Sequence, residues 1–256
     1  MPLQPNVRVR LKILTERFEG GSDIDYLFKD SFNRVATGYG CDLDKNASGR
    51  SPNNDPNAPR DGIPKAQGRA APWIKWKRRS TGLDVTNPDE IKQAWLTIKS
   101  LPEQPLDAAQ QWAAPWYKGK VDLMLNKDDL FENLATMNYN TLTAATPYRT
   151  YFHDFDSWPA DAQVALLSIS WSGPGVVLAR GDTFLRACAA WNFQLAAEKC
   201  DIPWKGPGTV PERNRTNRLL FLNAQAEINE GRRLWAGVQR SLMINLDLSP
   251  GPTGRR

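Results

Sequence analysis

The apolar positions of the first eighteen residues repeat at the spacing of an amphipathic helix. Four apolar residues follow one another at intervals of four, three and four positions, namely Val7, Leu11, Leu14 and Phe18, and so share one helical face. The glycine pair at 20–21 predicts the end of this helix. Glu19 then lies at its carboxyl end, where partial negative charge disfavours a carboxylate. This unfavourable position suggests that Glu19 has a function.

Residues 26–43 show a strand-like alternation of residue types instead of a helical spacing. Apolar and aromatic residues alternate with others at Tyr26 and Phe28, and again between 35 and 41, with a turn-prone stretch between the two runs. Two short strands joined by a turn are therefore predicted. Gly38 and Gly40 lie within the second strand and indicate a bulge or a close approach of the backbone to another group.

Helical patterns cover most of the remaining chain. They are predicted over 88–100 with Asn87 as the N-cap, and over 106–116, 121–138, 176–199 and 213–236. The clearest pattern spans 159–171, with Ser157 as the cap and Pro159 in the first turn. It is apolar on nearly every side, which predicts a helix buried in the centre of the domain.

Two segments have a different composition. Residues 44–72 consist mainly of Pro, Gly, Asn, Asp and Ser, which predicts an exposed, mobile loop or insertion. Residues 73–79 (WIKWKRR) combine two tryptophans with four cations. They suit a solvated basic loop, an anionic glycan, a membrane surface or single-stranded nucleic acid. The tail 249–256 is expected to be loose.

The amino-acid composition limits which catalytic, metal and cofactor sites the chain can form. With 41% apolar residues in 256 positions, the chain can form a core. One histidine, His153, and three cysteines exclude most zinc sites and leave only one histidine base. The odd cysteine count favours folding in a reducing cytoplasm, with a single Cys188–Cys200 bridge as the alternative. His153 is better explained by a structural role. No metal is expected because of these histidine and cysteine counts. No cofactor is expected because no nucleotide-binding motif is present.

Fold class and domain organisation follow from these patterns. We predict an α+β fold that is mostly helical, with a small N-terminal β-hairpin sheet and a buried central helix. One domain should span 1–245, interrupted by an insertion at about 44–82 that could extend to 120, with a loose tail at 246–256. The start of the chain lacks the apolar core of a signal peptide, and no stretch is long enough to span a bilayer.

The first two elements bring together the groups that glycoside cleavage requires. A helix delivers Glu19, and Asp30, Thr37, Asp42 and Asp44 lie on or beside the hairpin that follows. One carboxylic acid must protonate the leaving oxygen, and a second carboxylate or a positioned water must meet the oxocarbenium-like centre. The acid works at neutral pH only if an apolar setting raises its pKa.

Three blocks in the same order resemble phage-type lysozymes and pesticin-like muramidases of the lysozyme-like superfamily. The first is Glu19-Gly20 with Tyr26, Asp30 and the run Thr37-Gly38-Tyr39-Gly40, which resembles their helix ending in Glu-Gly and the hairpin after it. The second, residues 158–171, resembles their buried central helix. The third, Glu212-Arg213-Asn214 followed by residues 218–224, resembles their C-terminal segment. The resemblance covers roughly 10–43 and 155–225.

The resemblance implies a muramidase with Glu19 as the general acid. It further implies a hairpin carboxylate, Asp42 or Asp30, and an assisting Thr37. The match is looser here, because Ala36 occupies the usual threonine position and Thr37 is its neighbour. One step along a strand turns a side chain to the other face.

The expected activity is hydrolysis of the β-1,4 bond between N-acetylmuramic acid and N-acetylglucosamine in bacterial peptidoglycan, as a phage lysis enzyme or a secreted antibacterial effector. The alternatives are a lytic transglycosylase on the same substrate, a non-enzymatic wall-binding module on this scaffold, or a basic nucleic-acid-binding protein. The expected partners are peptidoglycan and an immunity protein or delivery machinery, without nucleic acid or stable membrane insertion. Synthesis in the cytoplasm and action in the periplasm or a target cell envelope are expected.

Overall fold

The computed structural model of the protein describes residues 3–19, 24–29, 35–43, 75–102, 115–203 and 210–231. It has the predicted α+β class, since helices predominate and two small antiparallel sheets accompany them. Several predictions lie outside the described residues: the loop 44–72, most of the helix 106–116, the end of the helix 213–236 beyond residue 231, and the tail 246–256. The division of the chain into a domain with an insertion stays a prediction.

The first helix, α1, spans Pro5–Phe18 and buries the face that the spacing predicted. The hairpin region contains three short strands rather than two: β1 (Phe28–Lys29), β2 (Val35–Thr37) and β3 (Cys41–Asp42), paired in the order β1-β2-β3. The predicted second strand is broken because Gly38–Gly40 form a 3-10 turn between β2 and β3.

A second sheet was not predicted. It consists of β4 (Trp76–Arg78), β5 (Asp84–Val85) and β6 (Leu123–Leu125), in the order β5-β4-β6. The expected helix over 121–138 is therefore wrong at its start: α3 begins later and spans Lys127–Ala144, capped by Asn126. The β6 segment alternates between buried and half-buried residues, and its amides bond to β4 and to the carbonyl of Asp25 (2.8 Å).

The central helix, α5 (Ala160–Trp171), is buried along nearly its whole length, as predicted. It begins after Pro159, and Ser157, the predicted cap, lies instead in a preceding 3-10 turn. It packs against α1 and against α9 (Val210–Asn229), the last described helix. Asp161 of α5 forms an ion pair with Arg10 of α1 and accepts a hydrogen bond from Asn223 of α9 (3.2 Å). These three helices are thus joined by polar contacts as well as by the core.

The other helices complete the core. α2 spans Pro88–Ser100 and is capped by Asn87 as predicted; α4 spans Tyr148–Phe152. The single helix predicted over 176–199 is three: α6 (Pro174–Leu178), α7 (Asp182–Ala189) and α8 (Phe193–Lys199). Breaks occur at Gly181 (φ 85°) and Trp191 (φ 57°), whose left-handed backbone an α-helix cannot include.

The three cysteines are buried and free, so the alternative Cys188–Cys200 bridge is absent from this structure. Among the described residues, no helix has the length and apolar character needed to cross a membrane.

Candidate active site

Glu19 ends the first helix, as the sequence indicated. It is the C-cap of α1, and its backbone N–H donates to the carbonyl of Thr15 (2.8 Å). Its side chain is only 18% exposed. Leu14 and Phe18 of the same helix and Tyr39 of the hairpin region are all buried. A carboxyl group is therefore held at the edge of the core with little contact with solvent.

Arg213 of α9 is the direct partner of this carboxyl group. Its Nη2 donates to Oε1 of Glu19, and its Nη1 donates to Oγ of Ser172, just after α5, at 2.8 Å. The guanidinium carbon lies 5.2 Å from the centre of the Phe18 ring. Arg213 is almost completely enclosed, with 5% of its side chain exposed. The pair therefore joins the carboxyl end of α1 to the first turns of α9.

The turn at Gly38–Gly40 covers the other side of Glu19. Gly40 has a left-handed backbone (φ 68°), and a Cβ atom added there would lie 2.7 Å from Oε2 of Glu19. Gly38 approaches the backbone as closely, since an added Cβ would lie 2.6 Å from the carbonyl oxygen of Ile24. The close approaches predicted from these two glycines are both present, and one of them is to the candidate catalytic group.

Three aromatic rings support this turn. The Tyr39 ring makes edge contacts with Phe131 of α3 and Trp171 of α5, and those two rings are stacked 5.7 Å apart. The indole N–H of Trp171 donates to the Tyr39 carbonyl (3.2 Å), and the Tyr39 hydroxyl lies 3.3 Å from a carboxylate oxygen of Glu16. Tyr39 itself has a left-handed backbone (φ 57°), which costs energy in a non-glycine residue. Packing on α3 and α5 thus holds a strained turn against Glu19.

Two opposing effects set the pKa of Glu19. Burial raises it, because a poorly solvated site disfavours the charged form. The positive charge and the hydrogen bond of Arg213 lower it, and the net result is a raised pKa. A carboxyl group with a raised pKa stays protonated to higher pH, which is what a general acid requires.

The structure describes the other predicted site residues, Thr37, Asp42 and Asp30, to different extents. Thr37 is fully buried, and its hydroxyl donates to the carbonyl of Tyr26 (3.1 Å) inside the first sheet. This burial and this internal hydrogen bond favour a structural role for Thr37, and its assisting role stays a prediction. The backbone of Asp42 pairs with Ala36 near the turn, and its side chain lies outside what the structure describes. Asp30 also lies outside the described residues.

Sequence reasoning missed two members of this network. Arg213 belongs to the third block of the resemblance but was not named there as a site residue, and Ser172 was not predicted to belong to the site. An arginine at helical spacing from apolar residues was the available signal, since Arg213 shares its face with Leu220 and Ala224, both buried. A buried cation requires a partner, but the sequence does not say which of 28 acidic residues it is.

The basic segment at 75–79 is neutralised within the fold. Each of its cations pairs with a carboxylate: Lys75 with Asp129, Lys77 with Asp84, Arg78 with Glu90 and Arg79 with Asp25. Trp76 is buried rather than offered as a stacking surface. These contacts weaken the nucleic-acid interpretation, which rested on unpaired charge beside exposed rings.

His153 is exposed at the end of α4, and its acidic neighbours have other partners. Asp154 accepts from the indole N–H groups of Trp158 (3.0 Å) and Trp191 (2.6 Å), and Asp156 accepts from the Tyr139 hydroxyl (2.9 Å). This cluster links aromatic side chains of the core, which favours a structural role over a catalytic one.

In the part of the chain that the structure describes, no group of three or more His, Cys, Asp or Glu side chains could hold a metal ion. Comparison with family models, with curated proteins and with solved structures gives no match for the chain.

Proposed function

We propose that this protein cleaves the β-1,4 glycosidic bond between N-acetylmuramic acid and N-acetylglucosamine in peptidoglycan, with Glu19 as the general acid. The observation that carries the proposal is the setting of Glu19. The Glu19 carboxyl group lies at the end of an amphipathic helix, is held by a buried arginine and is covered by a glycine turn.

The chemistry follows from that setting. Protonated Glu19 donates its proton to the glycosidic oxygen as the bond breaks. Arg213 orients the carboxyl group and, as a fixed positive charge, stabilises the carboxylate that remains after proton transfer. A hairpin carboxylate, Asp42 or Asp30, stabilises the oxocarbenium-like centre or activates water. The distance from that carboxylate to Glu19 decides whether the product retains or inverts its configuration.

A lytic transglycosylase is the second candidate. The described network of Glu19, Arg213, Ser172 and Gly40 contains one carboxyl group, and a transglycosylase needs only one, because a hydroxyl of the sugar itself closes the ring. The two activities differ in their products: a hydrolase leaves reducing muramic acid ends, and a transglycosylase leaves anhydro-muramic ends.

The test is digestion of purified peptidoglycan by wild-type protein and by Glu19→Gln, followed by turbidity and by mass analysis of the muropeptides. Glutamine keeps the shape but cannot donate the proton, and general acid catalysis is typically worth about 10²- to 10⁴-fold, so clearing should fall by at least about 100-fold. The matched control is Glu132→Gln, which changes an exposed carboxyl group paired with Arg8 and should clear walls normally.

Near-normal clearing by Glu19→Gln would refute the proposed role. Muropeptides with anhydro-muramic ends would show that the protein is a lytic transglycosylase. Sedimentation of the wild-type protein with peptidoglycan, without any release of muropeptides, would identify a wall-binding module instead.

A further inference from the structure

Three buried polar atoms behind the Glu19–Arg213 pair have no hydrogen-bond partner among the described residues. They are Nε of Arg213 and both the oxygen and the nitrogen of the Asn217 side-chain amide. Asn217 has no exposed surface at all. Buried polar groups of folded proteins are nearly always hydrogen bonded, so these three atoms, which lie on one helix, need an explanation.

The two side chains are neighbours on one face of α9. Residues four apart on a helix face each other, and each Cα–Cβ bond tilts toward the helix N-terminus, so the Asn217 amide leans toward Arg213. Their chemistry is complementary, because Nε–H of arginine is a donor and Oδ1 of asparagine is an acceptor.

A bond at Nε would complete the contacts of the guanidinium. Nη1 already donates to Ser172 and Nη2 to Glu19, and the Phe18 ring lies 5.2 Å from the guanidinium carbon. Because the group is planar with its donors in a fixed arrangement, a third bond on the remaining edge fixes its position along the Glu19 carboxylate.

We infer that Asn217 is a positioning residue for Glu19: an ordered water that accepts a hydrogen bond from Nε of Arg213 and donates one to the Asn217 amide oxygen links the two side chains and so holds the guanidinium against the carboxylate. The catalytic meaning of this contact rests on the proposed function, whereas the contact itself does not.

A purely structural role makes a different prediction. Leucine has the same branching as asparagine, with methyl groups in place of the amide oxygen and nitrogen, and it is the more favourable residue in an enclosed apolar site. If Asn217 only fills space between α5 and α9, then Asn217→Leu leaves the carboxyl group of Glu19 as it was. If Asn217 holds Arg213, the same substitution loosens the ion pair and makes Glu19 a weaker acid.

The decisive measurement is the titration of the Glu19 carboxyl carbon by nuclear magnetic resonance, with its signal assigned by its loss in Glu19→Gln. The ionisable groups near Glu19 in the described residues are Arg213 across the site, Glu16 with Tyr39 on the α1 side, and the Arg17–Glu212 ion pair. All of these groups are kept in Asn217→Leu and in its control variant Asn214→Leu.

Asn217→Leu should lower the acid dissociation constant of Glu19 by about two- to tenfold, the factor that the net contribution of one hydrogen bond represents. The control is Asn214→Leu on the same helix, where the native amide bonds to both backbone groups of Ile202 (2.9 and 2.8 Å). That variant should leave Glu19 titrating as in the wild type. An unchanged titration in Asn217→Leu, or an equal change in both variants, would overturn the inference.

A second comparison shows whether the effect passes through Arg213. In an Arg213→Met background, Asn217→Leu should have no further effect on the titration of Glu19, and an undiminished effect would contradict the inference. If Asn217→Leu does not fold, Asn217→Ala removes the same acceptor with a smaller side chain and gives the same comparison.

On peptidoglycan, Asn217→Leu should lower kcat while KM stays unchanged, because the acid is misplaced but the glycan contacts remain. A rise in KM with unchanged kcat would count against a positioning role. If the wild-type protein does not cleave peptidoglycan but the titrations behave as described, the proposed function fails and the Asn217 contact stands. The two ideas are thus separately testable.

Discussion

Gly40 sets how closely the hairpin approaches the candidate catalytic group. Its backbone is left-handed, and the space where a side chain would begin is occupied by Oε2 of Glu19. The carboxyl group cannot easily move aside, because Arg213 holds its other oxygen. The residue at position 40 therefore needs both the conformational freedom and the small size of glycine.

Gly40→Ala should reduce peptidoglycan clearing by at least about tenfold, because the added methyl group displaces a carboxyl group whose placement within about 1 Å matters. Gly82→Ala is the matched control. Gly82 has nearly the same backbone angle (φ 71°), but an added Cβ would meet nothing within 4 Å. Equal loss of activity in the two variants would show that backbone strain, and not contact with Glu19, is responsible.

Arg213 should determine the alkaline side of the pH–activity profile. The acid must be protonated to act, so activity falls as pH rises through the pKa of Glu19, which burial raises and Arg213 lowers. In Arg213→Met the opposing charge is gone, so the pKa rises further. The alkaline limb of kcat/KM should move upward by about 1 to 3 on the pH scale. A limb that stays in place would mean that another group sets it.

Glu19 should also contribute to the pH dependence of stability. Because its folded-state pKa lies above the unfolded value, its contribution is fully present below the unfolded pKa and is lost as pH rises through the folded pKa. Glu19→Gln should remove this decline. The measurement is the free energy of unfolding by urea between pH 4 and 8, compared with the wild type. Parallel curves for the two proteins would contradict the raised pKa.

At the scale of elements, α5 contributes both to the stability of the fold and to the position of the residues around Glu19. Its side chains are almost all enclosed, and its C-terminal end supplies Trp171 to the glycine turn and leads to Ser172, the second partner of Arg213. Its middle residues contact the core and do not take part in the Glu19 network. Changes there should act on folding, and changes at its end should act on the site.

Leu166→Ala should lower the free energy of unfolding by about 2–5 kcal/mol, because it leaves a cavity at a fully buried position. A domain typically has only about 5–15 kcal/mol of stability, so thermal melting will show the loss plainly. Activity per folded molecule should survive. Glu19→Gln should show the reverse: no activity, with a melting temperature near that of the wild type at acidic pH, where the Glu19 carboxyl group is protonated. A stable but inactive Leu166→Ala would place α5 in the chemistry instead.

The elements that the sequence predicted well are those with a strong local signal. The spacing in α1, the continuous apolar run of α5 and the N-cap of α2 depend on neighbours within a turn or two. The β6 strand was missed because three residues are too few to show a period beside a long helix. The Glu19–Arg213 contact was missed for another reason, since 194 positions separate its partners.

At the scale of the whole molecule, part of the predicted insertion is joined to the rest of the fold. Trp76 of β4 is 2% exposed and pairs with Val85 on one side and Leu125 on the other. The amide of Leu125 in turn bonds to Asp25, just before the first sheet. We therefore expect the described residues to unfold as a unit.

Trp76→Ala should test this cooperativity in a calorimeter. Truncating a buried tryptophan costs about 3–5 kcal/mol, and the main unfolding transition should move to lower temperature as a whole. A separate transition that alone responds to the substitution would show that the second sheet is an independent unit. Leu83→Ala, at an exposed position in the same hairpin, should leave the melting temperature nearly unchanged.

The ion pair between Glu19 of α1 and Arg213 of α9 determines when the site can be completed during synthesis. A ribosome adds about 5–20 residues per second, and Glu19 emerges long before Arg213 does. Until α9 has been made and packed on α5, the carboxyl group lacks its partner. Contacts between such distant segments also form late in folding, because a long loop must close first. A nascent chain therefore carries an incomplete ion pair for most of its synthesis, and the Glu19 carboxyl group gains its buried partner only when α9 is in place.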